Sequence, residues 1–238
     1  MGKLSIVEIV SAARDLFREK GFAGASMQDL ADRVGIRKAS LYSRFPDKES
    51  LIGKVLALTL DELLPPGDEA AGEWLSAYKS ALGRIAGHLR GNCRCVALHL
   101  AYGVHGEDGD AHHQIRRFFT GCRARIAETL RNGLPADLAE ELATDTLLQI
   151  EGATVWLIVE RDSAPLDRAV LALQKRAEAM AIEPPPEVRK LLDSLTGDWR
   201  RASSTEKALA ARLVDAEERV LFVEQALRGQ VEAEACFL

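Results

Sequence analysis

The sequence is poor in the residues that carry covalent, metal or catalytic chemistry. Four cysteines stand among 238 residues, at Cys93, Cys95, Cys122 and Cys236. Cys93 and Cys95 are too close in sequence for an ordinary structural bridge, so reduced thiols are expected. No run reaches the roughly 18 consecutive apolar residues of a membrane span, so no membrane partner is expected. The start, Met1-Gly2-Lys3-Leu4, lacks an apolar signal region, and the expectation is a soluble cytoplasmic protein. There is no glycine-rich phosphate loop and no nucleophile motif, and the histidines show no paired spacing of a metal site. No enzyme activity and no cofactor is therefore expected. Repeats and low-complexity tracts are absent, and strand alternation is nearly so.

What is present is helical periodicity and an uneven charge. Apolar residues make up 47%, enough for a substantial core. The net charge of -5 argues against a nucleic-acid partner, but its distribution argues for one. Residues 1–48 hold nine Lys/Arg against six Asp/Glu, a net +3, which leaves -8 for the remainder. A basic head on an acidic body is the pattern of a nucleic-acid binder.

The spacing predicts a first helix over about 4–20, with Ile6, Val10, Ala13 and Phe17 on one stripe and Gly21 ending it. Ser26, with Asp29 three residues on, reads as an N-cap, and Gly35 stops the short helix it starts. A third helix is expected over about 38–45, with Leu41 and Phe45 facing inward, and a fourth from an Asp47 cap to about Leu64. Pro65-Pro66-Gly67 breaks the chain. Further helices are expected at about 69–90, 93–104, 110–131, 136–160 and 165–181.

Two short helices joined by a few residues, the second carrying the positive charge, form a helix-turn-helix pattern. A recognition helix needs one apolar face for its own domain and an opposite face of donors for phosphates and base edges. Leu41 and Phe45 supply the first face; Arg37, Lys38, Ser40, Ser43 and Arg44 supply the second. Ser26 and Gln28 open the preceding helix, where free N–H groups favour a phosphate.

The blocks Ala13-Arg14-Asp15-Leu16-Phe17, Lys20-Gly21-Phe22, Gly35 to Phe45 and Lys48-Glu49-Ser50-Leu51 resemble the tetracycline-repressor (TetR) family. The resemblance implies an all-α fold: a three-helix head, joined by a long helix to a helical ligand-binding and dimerising body. It implies that Tyr42 and Lys48 hold DNA phosphates, and that Lys38, Ala39, Ser40, Ser43 and Arg44 face the major groove. Arg37 departs from the family, which often places Ser or Thr there as a cap. The substitution loses a cap, worth about 1 kcal/mol, and gains a phosphate-binding charge. Arg44 stands where His or Tyr is commoner.

For the body, the resemblance implies an effector pocket among the middle helices and a homodimer through the last two. Candidates for the pocket are Trp74, Tyr78, Leu82, His99, Tyr102, Phe118, Phe119 and Trp156, though an aromatic on a helix is more often core. A competing reading takes Cys93, Cys95 and His99 as a thiol-redox or metal-responsive site. Arg90, Arg94 and a helix N-terminus would lower a thiol pKa, and Cys95 and His99 are four apart.

Pro184-Pro185-Pro186 sets off a tail in which Leu209, Leu213, Ala216, Val220, Val223, Leu227 and Gln230 step 4-3 as a heptad seam. The expected division is a DNA-binding domain at 1–48, a ligand-binding and dimerisation domain at 49–183, and a helical extension at 184–238. The expected function is a homodimeric repressor, released from an inverted repeat in double-stranded DNA by a small-molecule effector.

Overall fold

The computed structural model describes residues 4–66, 73–92, 94–104 and 109–181. The tail seam at 209–230 and Cys93 lie outside them. Among the described residues the chain forms nine helices and no strand. They are α1 (Ile6–Gly24), α2 (Met27–Val34), α3 (Lys38–Tyr42), α4 (Ser50–Leu63), α5 (Trp74–Asn92), α6 (Val96–Gly103), α7 (Asp110–Arg131), α8 (Ala136–Val159) and α9 (Ala164–Ala181).

The head is built by its caps. Ser5 and Glu8 close a capping box on α1, and Ser26 and Asp29 close another on α2. Gly21 (φ 72°) breaks α1, and Gly35 (φ 68°) ends α2 in the left-handed region that favours glycine. The α1 stripe is shifted from the expected one. Ile6 is 58% exposed, while Ile9, Val10, Ala13, Leu16 and Phe17 are buried.

Two boundaries differ from the expected ones. α3 stops at Tyr42, not 45, because the Leu41 carbonyl accepts from both Arg44 and Phe45 N–H, which tightens the chain into a turn. Pro46 then disfavours helix at Phe45, whose ring is still buried. α4 begins at Ser50. Asp47 accepts from the Ser50 N–H at 2.7 Å, but one turn of i→i−3 bonds separates this cap from the helix. α6 begins at Val96 rather than 93, with Cys95 as an extended N-cap residue.

α4 joins head to body: it packs on α1 on one side and on α7 on the other. At the α7 crossing, a Cβ added to Gly121 would lie 2.9 Å from the Leu60 Cδ2, so any larger residue there would push the Leu60 side chain aside. α6 packs along α1, and α5, α7, α8 and α9 surround the rest of the body core. α8 is long and apolar enough by composition to cross a bilayer, but it packs against α7 and α9. Its remaining apolar side chains, Leu148, Val155, Trp156, Ile158 and Val159, are exposed.

Candidate functional site

α3 is held by one face and leaves the other in water. Leu41 is fully buried and Phe45 nearly so. Arg37, Lys38, Ala39, Ser40, Tyr42, Ser43 and Arg44 are all exposed. Arg37 occupies the N-cap position in extended conformation and makes no side-chain cap; its carbonyl accepts from the Ser40 and Leu41 N–H groups, and no side chain caps the amides that open α3. The Lys38 ammonium lies 5.8 Å from the centre of the Tyr42 ring, a cation–π distance that sets the two side chains together. The Ser43 hydroxyl donates to the Ser40 carbonyl at 2.9 Å.

Several expected DNA contacts have internal partners. Lys48, expected on a phosphate, instead donates to the Phe22 and Ala25 carbonyls at 2.6 and 3.0 Å and sits 4.3 Å from the Phe22 ring centre. It ties the turn after Gly21 to the start of α4. Arg44 donates to the Leu4 carbonyl at 3.0 Å, which anchors the chain before α1. The Ser26 hydroxyl is held by Asp29, and Gln28 donates to Asp32 at 2.7 Å. A hydrogen bond from Lys20, then those from Ser26, hold the Asp29 carboxyl down to about 2.

The second site is a cavity in the body. Thr59 and Leu63 of α4, His88 of α5, Cys122 of α7 and Glu151 of α8 line it, with Cys95 ahead of α6. Phe118 and Phe119 form an edge-to-face wall, with ring centres 5.4 Å apart. Its volume is about 30 Å³, room for a water or two. Of the eight candidate pocket residues, only Phe118 and Phe119 reach it. Tyr78 is core, its hydroxyl bonded to Thr146 at 2.7 Å, and Leu82 is fully buried beside it in the core. Trp74 covers Gly133 in the turn before α8. His99 faces Gly21 of α1, while Tyr102 is 83% and Trp156 47% exposed.

Cys95 does not have the lowered thiol pKa expected of it. Burial raises its pKa well above the usual thiol range, and the nearby Glu151 raises it further. The amides of Ala97 and Leu98 favour the thiolate, as expected of a helix N-terminus, but burial outweighs them. Burial also pushes Cys122 up to about 12. Cys95 opens on the cavity and His99 on α1, so the two do not converge. Among the described residues no group of three metal-ligating side chains exists.

Sequence reasoning missed Glu151, although it is the only charged residue between Asp145 and Glu160. It also missed His88 and its partner. Arg18 of α1 is buried, and its guanidinium meets His88 Nε2 and Asn92 Oδ1, the latter at 3.1 Å. Arginine only donates, so the neutral ring accepts at Nε2 and carries its proton on Nδ1. Burial first, then Arg18 and Arg14, push His88 down to about 4. Nearby, Arg14 pairs with Glu62 of α4, and Arg94 donates to the Arg18 carbonyl at 2.9 Å. The cavity wall is thus bonded directly to the first helix of the head.

Residues 9–55 match the model of bacterial regulatory proteins of the tetR family, and residues 74–171 match the C-terminal domain of LmrA/YxaF-like transcriptional regulators. The chain belongs to the TetR family of bacterial regulatory proteins. Its head is a TetR helix-turn-helix, the DNA-binding domain of a transcriptional regulator. The HTH-type transcriptional repressor BdcR of Escherichia coli (strain K12) is 27% identical over 135 residues, covering 54% of this chain and 66% of that relative. The repressor DhaR of Mycobacterium sp. (strain GP1) is 27% identical over 172 residues, covering 67% of this chain and 85% of its own. The chain thus spans just under two thirds of the first relative. A TetR transcriptional regulator from Legionella pneumophila shares the fold at a TM-score of 0.62 and 18% identity, over 74% of this chain and 98% of that one.

Proposed function

We propose that this TetR-family chain is a homodimeric transcriptional repressor that acts in the cytoplasm and leaves its operator when a small-molecule effector enters the body. The observation that carries the reading is the exposed face of α3. In this reading Lys38, Ala39, Ser40 and Ser43 meet base edges and Arg37 and Tyr42 meet phosphates, while Arg44, Ser26 and Gln28, whose side chains are bonded within the head, reach DNA only by exchanging those partners. BdcR and DhaR are named as repressors, which supports the sign of regulation.

The apolar side chains left exposed on α8, joined by Leu171 of α9, support dimerisation, because a soluble chain rarely leaves such a face in water. A two-fold dimer presents two copies of α3 and reads an inverted repeat. Effector action is a two-state coupling. A ligand that prefers an opened body displaces His88, and His88 is bonded to Arg18 in the head. No enzymatic role is part of this reading.

The test is selection of bound sequences from a random DNA pool by the full-length protein. An inverted repeat is expected to emerge, and Lys38→Ala is expected to lose discrimination as well as affinity. A protein with no sequence preference even at low salt would end this reading.

A further inference from the structure

The polar groups of the cavity differ in what they have left to offer. The Thr59 hydroxyl donates to the Val55 carbonyl at 2.8 Å. His88 Nε2 is taken by Arg18. Cys122 keeps its proton, and so does Cys95, whose thiol lies beside Glu151. Glu151 Oε2 is different: it is buried and has no hydrogen-bond partner. None of the residues lining the cavity is Lys or Arg. A buried carboxyl oxygen without a partner is unfavourable by the desolvation of that group, so it marks a position where a donor is missing.

Resting on the reading that the effector enters this cavity, we propose that the effector is an organic cation: an amine on an apolar body, its ammonium paired with Glu151 and its body against Phe118 and Phe119. Among the groups that line the site, Glu151 Oε2 is the buried oxygen with no partner at all, and Glu151 is the one carboxyl that can supply a negative charge. An ammonium supplies both the missing donor and the missing counter-charge. The Phe118 and Phe119 rings offer π faces to a cation and area to an alkyl or aryl group. A carboxylate or phosphate ligand would meet Glu151 and two neutral thiols, with no cation to receive it.

Charge pairing also gives the site a pH signature. Burial raises the Glu151 pKa in the free protein, and the groups facing it are Cys95 and Cys122, with His88 across the cavity. The ammonium stabilises the ionised carboxyl, so amine binding expels a proton wherever free Glu151 holds one. Affinity for the amine therefore rises with pH until Glu151 is ionised in the free protein.

The test uses three probes of one shape: 4-phenylbutylamine, 4-phenylbutanol and 4-phenylbutyrate. Binding to the full-length protein is measured by calorimetry, and operator release by fluorescence anisotropy. The expected order is amine first, with the alcohol weaker by about tenfold or more, and no binding of the carboxylate. Glu151→Gln, which keeps shape and removes charge, is expected to bring amine and alcohol within about threefold of each other. Glu151→Met, with no polar group left, should do the same and guards against a folding defect in the first variant. Equal or tighter binding of the alcohol or carboxylate, sensitive to Phe118→Trp, overturns the cation and leaves the cavity as the effector site. Amine binding unchanged by Glu151→Gln, Glu151→Met and Phe118→Trp overturns both. Absence of binding by all three probes at millimolar concentration overturns the cation proposal.

Discussion

Lys48 has three N–H donors and two of them are bonded to the carbonyls of Phe22 and Ala25. The resemblance to the TetR family implied a DNA phosphate as the partner of this side chain, and no other partner is visible in the linear chain. The carbonyls it needs are more than 20 residues away. Arg37 is the opposite case. Its position at the start of α3, and the missing cap, were legible from the sequence. The two residues therefore respond oppositely to substitution. Lys48→Ala is expected to destabilise the protein by about 1.5–3 kcal/mol, because two charge-assisted bonds are lost at a partly buried site. Arg37→Ser is expected to stabilise it by about 1 kcal/mol through a restored cap, while lowering the salt dependence of DNA binding by about one phosphate per protomer. Urea unfolding and a salt titration of operator affinity read both. Unchanged stability of Lys48→Ala would return that residue to a role on DNA alone.

At the scale of elements, what was legible is what local physics writes into adjacent residues. Ser26 with Asp29 and Gly35 mark the two ends of α2, Gly21 marks the break within α1, and α7, α8 and α9 fall within a residue or so of their expected bounds. What was not legible needed the third dimension. Periodicity cannot tell a face that meets the core from one that meets a second copy, so Trp156 read as a pocket residue and is exposed on α8. Likewise, the 4-residue spacing of Cys95 and His99 presumes a helix through both, and Cys95 precedes α6. The α8 face has a direct check. Val155 and Val159 are 52% and 71% exposed, so changing both to Glu leaves the protomer core intact. Sedimentation is expected to shift from dimer to monomer, far-ultraviolet dichroism to stay constant, and operator affinity to fall by about 100-fold or more. A variant that remains dimeric would place the interface elsewhere.

At the scale of the whole molecule, head and body are joined through buried charge, and acid reaches that joint first. His88 has a folded pKa of about 4 against an ordinary 6.5. A base whose folded pKa is depressed keeps its full stabilising contribution above pH 6.5, and loses it as pH falls from 6.5 towards 4, where the unfolded chain takes the proton alone. Discounted for partial contact with water, the loss is about 1–2 kcal/mol. His88→Gln keeps an acceptor for Arg18 and cannot titrate. Between pH 7 and 5 its thermal midpoint is expected to drop less than that of the wild type. Equal drops would mean that His88 is not the sensitive group.

If the effector enters this narrow cavity, its size also sets a clock. A space of about 30 Å³ admits no drug-sized guest until the helices part. Parting is a first-order event of the protein, with a rate that no concentration of guest can raise. At low dose the gene would wait for the molecule to arrive; at high dose it would wait for the protein to open. On the proposed reading, raising the dose beyond that crossover deepens the response without hastening it, and the packing around Glu151 sets the delay before transcription begins.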